Sequence, residues 1–120
     1  MSDARKSKVY QKAYAFAIRI VKLYQHLCQK KKEYVLSKQI LECGTSIGAN
    51  TAEANGAISK KDFSAKISIA YKEGLETKYW LSLLKDTGYI SAKQFDSLFA
   101  DADELAKMLF TIIKTSRINN

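Results

Sequence analysis

Apolar residues recur along this chain at the steps of a helix seam. Val9, Ala13, Phe16, Ile20, Leu23 and Leu27 follow one another at intervals of 4, 3, 4, 3 and 4, which puts all of them on one helical face. The pattern predicts a first helix from about Ser7 to Gln29, ended by Lys30, Lys31 and Lys32, cations suited to the negative end of the dipole. Leu36, Ile40, Cys43, Ile47, Asn50 and Ala54 keep the same rhythm and predict a second helix from Glu33 to Asn55, with Asn50 as its one polar seam member. Gly44, Gly48 and the small residues between Cys43 and Ala57 cost helix propensity. They are tolerable where another backbone packs close.

Asn55-Gly56 is a stop signal. Ser59 with Asp62 reads as an N-cap and a variant capping box. It opens a third helix that runs to about Thr87 on the seam Phe63, Ile67, Ala70, Gly74, Thr77, Leu81 and Leu84, with Gly88 as C-cap. Ser91 with Gln94 is a second capping box, and the fourth helix carries Phe95, Leu98, Ala102, Leu105, Leu109 and Ile112. Its acids Asp96, Asp101, Asp103 and Glu104 lie early and Lys114 and Arg117 late, the order that complements a helix dipole. Proline is absent and only 5 of the 120 residues are glycine, which disfavours a sheet with many tight turns. The expectation is an all-α chain forming one domain over residues 1–120, an antiparallel up-down-up-down four-helix bundle.

Charge changes the picture next. The formal net charge is +8. Residues 1–32 hold nine basic residues (Arg5, Lys6, Lys8, Lys12, Arg19, Lys22, Lys30, Lys31 and Lys32) against one acid, Asp3. Residues 33–120 hold eleven of each sign, so the whole excess sits on the first quarter of the chain. Arg5, Lys8, Lys12, Arg19, Lys22 and His26 fall on one face of the first helix. Clustered cations of this kind suit a polyanion, because phosphate binding gains from counterion release. The candidate nucleic-acid contacts, with RNA foremost, are therefore Arg5, Lys8, Lys12, Arg19, Lys22, Lys30, Lys31 and Lys32. The alternative is a solvated face that serves only solubility.

The first helix also has more apolar surface than one bundle needs. Tyr10, Tyr14, Ala17, Val21, Tyr24 and Cys28 form a second stripe beside the seam, and the third helix places Ile69, Tyr71, Leu75, Tyr79, Trp80 and Leu83 off its own. Exposed apolar area of this size marks an interface. The expectation is a homo-oligomer joined through Tyr10, Tyr14, Tyr24, Tyr79 and Trp80; the alternative is tyrosines that cover the bundle edge with their hydroxyls wet. A protein partner bound to the same aromatics is the rival to nucleic acid.

Catalytic chemistry is hard to assemble from these residues. His26 is the one histidine, Cys28 and Cys43 are the only cysteines, and no phosphate-cradling GxxxxGK[ST] or GxGxxG occurs. Glu-x-x-His is absent because residue 23 is Leu, so the di-iron bundle site is excluded. Neither a metal nor a cofactor is expected. Asn50, Glu53, Glu73 and Glu76 lie near the seams; paired carboxylates can do acid–base work, but in a bundle they serve more often as a structural polar network. The chain is read as a non-enzyme. Two cysteines make no disulfide framework, the start MSDARKSK lacks a signal peptide's apolar core, and no apolar run reaches the ~18 residues of a membrane span. The expected location is cytoplasmic.

The junction of the second and third helices carries a resemblance. Ser46-Ile47-Gly48-Ala49-Asn50-Thr51-Ala52-Glu53-Ala54, then Ser59-Lys60-Lys61-Asp62-Phe63, resembles the S-I-x-x-N-I-A-E-G and R-x-S-x-x-[DE]-F pattern of the 23S rRNA intervening-sequence protein family, also called the four-helix bundle protein family. Ile69-Ala70, Glu76 and Gly88-Tyr89-Ile90 extend the likeness over nearly the whole chain. Thr51, Ala54 and Ala57 depart from it, standing where the family has isoleucine, glycine and arginine, and Tyr71-Lys72-Glu73 replaces the usual end of I-A-x-G-S. The resemblance implies an antiparallel four-helix bundle assembled as a ring, typically a pentamer, with no established enzymatic activity. The chain is also similar to the accessory variability determinants of diversity-generating retroelements, basic pentamers that work with a reverse transcriptase and nucleic acid.

Overall fold

The computed structural model describes the backbone of residues 4–118 and the side chains of residues 8–116. Four helices follow in chain order: α1 (Ala4–Gln29), α2 (Leu36–Asn55), α3 (Lys60–Asp86) and α4 (Ala92–Ile118). Their direction is read from what meets what. Gly44 and Gly48 of α2 face Ile20 and Ala13 of α1. Lys78 and Tyr71 of α3 meet Asp103 and Phe110 of α4. Arg19 and Lys12 of α1 meet Asp101 and Glu104 of α4. In each pair the numbers rise on one helix as they fall on the other, so the bundle runs up-down-up-down. Each helix packs on its chain neighbour and α4 closes on α1, giving a rod of 46 × 21 × 20 Å.

The seams become the core. All the seam residues of α1 are buried, as are Ile40, Cys43, Ile47 and Ala54 of α2, Ile67, Ala70, Leu81 and Leu84 of α3, and Leu98, Ala102, Leu105 and Leu109 of α4. Leu36, Phe63 and Phe95, near the starts of their helices, are only partly buried, and the seams of α2 and α4 each differ from the sequence reading at one further place. Asn50 sits at the edge, donating Nδ2–H to the Ser46 carbonyl at 2.9 Å, while Thr51 takes the buried place and donates to the Ile47 carbonyl at 2.7 Å. The cause is the small face of α2: Gly44 and Gly48 admit α1 closely, and this turns Thr51 rather than Asn50 inward. In the last turns of α4, Ile113 is buried and Ile112 only partly so.

The ends explain the boundaries. Ser59 Oγ accepts from the Asp62 amide at 3.0 Å and opens α3. Ser91 and Gln94 bond reciprocally, Gln94 N–H to Ser91 Oγ at 3.1 Å and Ser91 N–H to Gln94 Oε1 at 2.8 Å, and open α4. Gly88 adopts φ 86°, the left-handed conformation of a Schellman stop, with Tyr89 N–H donating to the Leu84 carbonyl at 2.9 Å and Gly88 N–H to Lys85 at 3.0 Å. Helix α2 begins at Leu36 rather than at Glu33, because Glu33 acts as its cap: one carboxylate oxygen accepts from Val35 at 3.1 Å and Leu36 at 3.0 Å, the other from Ser37 at 2.7 Å.

The α1–α4 contact is the smallest of the four, and ion pairs line it. Arg19 Nη1 lies 2.7 Å from Asp101, its Nη2 donates to Ser97 Oγ at 2.7 Å, and Lys12 Nζ lies 2.9 Å from Glu104. These side chains are partly solvated, so the pairing is modest. A double-mutant cycle of Arg19→Ala and Asp101→Ala, read by urea unfolding, is expected to give a coupling of about 0.5–1 kcal/mol; zero coupling would mean that the apolar seam alone closes the bundle.

Candidate nucleic-acid interface

The basic residues of the first quarter separate into two groups. Lys12 and Arg19 point along the α1–α4 edge and are held by Asp101, Glu104 and Ser97. Lys8 and Lys22 are exposed on α1, and Lys30, Lys31 and Lys32 are exposed in the turn after it; none of these five makes an ion pair with a described residue. The side chain of Arg5 lies outside the described residues. His26 is half-buried, and its carbonyl accepts the amides of Lys30 at 2.8 Å and Lys31 at 3.3 Å. The cations therefore do not form one continuous free stripe. Two of them belong to the bundle's own closure, and the unpaired charge gathers at the α1–α2 turn.

That turn is structurally fixed. Glu33 is only 9% exposed. Burial pulls its carboxyl upward, but the amides of Leu36, Ser37 and Val35, with the Ser37 hydroxyl, outweigh burial and hold it below the usual glutamate range. Glu33 N–H donates to the Leu27 carbonyl at 3.0 Å, and Lys32 stands at φ 54°. Tyr34 and Val35 are consequently turned outward, 57% and 70% exposed. The sequence reading placed both inside a helix and missed them; the signal available was an aromatic directly after a lysine run at a helix junction.

Asn50, Glu53, Glu73 and Glu76 do not hydrogen-bond one another, which corrects the expected polar network. Asn50 bonds its own helix, Glu53 pairs with Lys66 at 2.8 Å, and Glu76 accepts from Trp80 Nε1–H at 3.1 Å. Periodicity placed these groups on neighbouring faces without saying how far each reaches. Burial, then the nearby Glu76, raises the Glu73 carboxyl. Cys43 is buried beside them; burial, with Glu76 and Glu73 adding to it and Thr77 opposing, pushes its thiol up to about 11, so it stays protonated and unreactive. Cys28 is half-buried, its Sγ 3.7 Å from Ser37 Oγ, and both cysteines are free thiols.

Of the proposed interface aromatics, Tyr14 and Tyr79 are 57% and 60% exposed. Tyr10, Tyr24 and Trp80 are half-buried, Tyr10 lying 6.0 Å from Tyr14 and Trp80 meeting Tyr79 edge-on at 5.0 Å. Ile18 and Val21 extend the exposed apolar surface on α1, as Ile69 and Leu75 do on α3. An open groove between α3 and α4, of about 290 Å³, is lined by Tyr71, Leu75, Lys78, Asp103, Lys107 and Phe110 among others. Its one carboxylate is already taken by Lys78 at 2.8 Å and Lys107 at 2.9 Å, whose bonds and charge hold Asp103 below its usual range. Among the described residues no group of three His, Cys, Asp or Glu could hold a metal ion, and no helix is long and apolar enough to cross a membrane.

Comparison with known proteins agrees with the helix 2–helix 3 motif. Comparison with curated proteins gives no match. A crystal structure of a protein of unknown function from the S23 ribosomal protein family of Bacteroides thetaiotaomicron is similar at 50% identity and a TM-score of 0.90, over 92% of this chain and 98% of that one. Neither that protein nor the matching family is described as an enzyme. Residues 5–111 match the 23S rRNA-intervening sequence protein family, and the chain belongs to that family.

Proposed function

We propose that this protein is a non-enzymatic ring of identical bundles, five as the resemblance implies, that associates with RNA through α1 and the turn after it. The observation that carries the RNA half is the set of five exposed lysines without ion-pair partners among the described residues, Lys8, Lys22, Lys30, Lys31 and Lys32, on a chain whose whole charge excess lies in residues 1–32. The family's description, which names 23S rRNA, and the S23 ribosomal description of the solved relative point the same way. The oligomer is supported separately. Helices α1 and α3 are diagonal in the bundle, with no Cα atoms of theirs within 8 Å of each other among the described residues, and their exposed apolar faces differ: Tyr14, Ile18 and Val21 on one, Ile69, Leu75 and Tyr79 on the other. Unlike faces on opposite flanks pair head to tail, the arrangement that closes into rings.

Binding of the nuclease-treated protein to structured RNA across a salt series, with its mass from light scattering, tests both halves. The expected result is a pentamer whose log affinity falls linearly with log salt, and a slope flattened when the five lysines become glutamine. Lys12→Gln should leave the slope unchanged, since Glu104 already takes that charge. Tyr14→Glu or Tyr79→Glu should lower the mass. An oligomer indifferent to RNA at low salt would sink the RNA reading. It would leave a scaffold that uses the same aromatic faces for a protein partner, with no nucleic-acid contact of its own.

A further inference from the structure

The α1–α2 turn has the makings of more than a charged patch. Lys30, Lys31 and Lys32 are all exposed, and two residues after Lys32 Tyr34 stands 57% exposed with no ring partner among the described residues. The backbone between them does not wander. Lys30 and Lys31 amides bond to His26, the Glu33 amide bonds to Leu27, and the Glu33 carboxylate is bonded to three amides of the chain's entry into α2. That last contact also fills the N-terminus of α2, so a phosphate cannot settle on those amides and must be met by the lysine ammonium groups. An aromatic and cations carried on a backbone pinned in this way leave less chain freedom to be lost when a ligand stacks there.

Resting on the RNA reading above, we propose that this turn binds single-stranded RNA, one unpaired base stacking on the Tyr34 ring and the flanking phosphates lying on Lys30, Lys31 and Lys32. A duplex keeps its base faces inside the stack, whereas a single strand or loop can offer one to an aromatic ring. An anionic membrane would suit the charge but not the apolar area. At this end of the bundle the neighbouring α3–α4 turn contributes exposed Asp86, Thr87, Gly88, Ser91, Lys93 and Gln94, with Ala92 exposed and Tyr89 and Phe95 half-buried, so the surface around Tyr34 and Val35 is mainly polar, and stable anchoring needs a larger apolar face. Tyr34 also lies off the α1 and α3 flanks proposed to join copies.

The test is fluorescence anisotropy with a labelled 12-nucleotide oligouridine and a 12-base-pair RNA duplex, on the 120-residue chain. The wild type should prefer the single strand. Tyr34→Ala should lose about tenfold on the single strand and leave the duplex unchanged, with Tyr34→Phe close to wild type. Substituting Lys30, Lys31 and Lys32 by glutamine should weaken both and reduce the salt slope on the single strand by about 2. Circular dichroism and mass confirm that each variant keeps fold and assembly. If Tyr34→Ala binds oligouridine as wild type does while the lysine variant fails, stacking is overturned and the charge-based RNA reading survives. If neither RNA binds at low salt, both fall. If phosphatidylserine vesicles displace the RNA and depend on Tyr34 and Val35, the occupant is a membrane surface and the proposal is wrong.

Discussion

Gly44→Ala is expected to destabilise the bundle by about 1–3 kcal/mol, although alanine is the better helix former by about 1 kcal/mol. A Cβ at position 44 would stand 2.8 Å from Ile20 Cγ1 and 2.9 Å from Ile20 Cγ2. These are the branch atoms of a β-branched side chain, stiff at χ1 in a helix, and Ile20 is fully buried, so the ring of atoms around it cannot swing aside. Relief has to come from moving α1 away from α2, which loosens a contact on which the whole seam depends. Gly48→Ala is the internal control. There the added Cβ would meet the Ala13 carbonyl oxygen at 3.5 Å and the Ala13 Cβ at 3.7 Å, ordinary contact, so this variant should be neutral or more stable by up to about 1 kcal/mol. Thermal or urea unfolding of both variants measures the difference. Equal effects at the two positions would mean that α1 and α2 do not approach as closely at Ile20 as described.

The same two glycines show what the sequence could say and what it could not. Their presence within a strong helix period announced a close approach, and the seams named most of the core, because burial on one face is a local, periodic property. What each polar group pairs with is not local. Arg19 and Lys12 read as members of a free basic stripe, yet Asp101 and Glu104 lie more than 80 residues further along the chain and reach them only once α4 closes on α1. Asn50 and Thr51 exchanged places because which of these two neighbouring positions turns inward beyond Gly48 depends on the partner helix, not on the pattern of α2 alone. The turn at Glu33 was hidden for a related reason. Capping signals are usually sought in Ser, Thr, Asp or Asn at the cap, and a glutamate reaching forward to three amides falls outside that list. Assigning Glu33 to the helix buried Tyr34 within the prediction, and with it the exposed ring beside the lysines.

Glu33→Ala is expected to cost about 2 kcal/mol, the upper end of what a lost helix cap removes. The carboxylate satisfies the amides of Val35, Leu36 and Ser37, donors that the first turn of α2 cannot pair internally, and its charge lies at the positive end of the helix dipole. Ser37 is fully buried, so without Glu33 its amide has no easy access to water. Glu33→Gln keeps one acceptor oxygen and should lose less. The pH dependence gives the sharper reading. Because the folded state holds this carboxyl below its ordinary value of 4.5, the unfolded chain binds the proton more readily, and stability rises with pH across that interval. The contribution is present in full above the unfolded value and is lost as pH falls through the lower folded one. Asp103, also held low by Lys78 and Lys107, adds acid sensitivity of the same sign, so the test is the difference between the wild-type and Glu33→Gln unfolding curves, in which Asp103 cancels. That difference should be largest near neutral pH and shrink as the solution is acidified below 4.5. A difference that stays constant with pH would show that the Glu33 charge does not hold α2 in place, and that the turn carrying Tyr34 owes its rigidity to the backbone bonds to His26 and Leu27 alone.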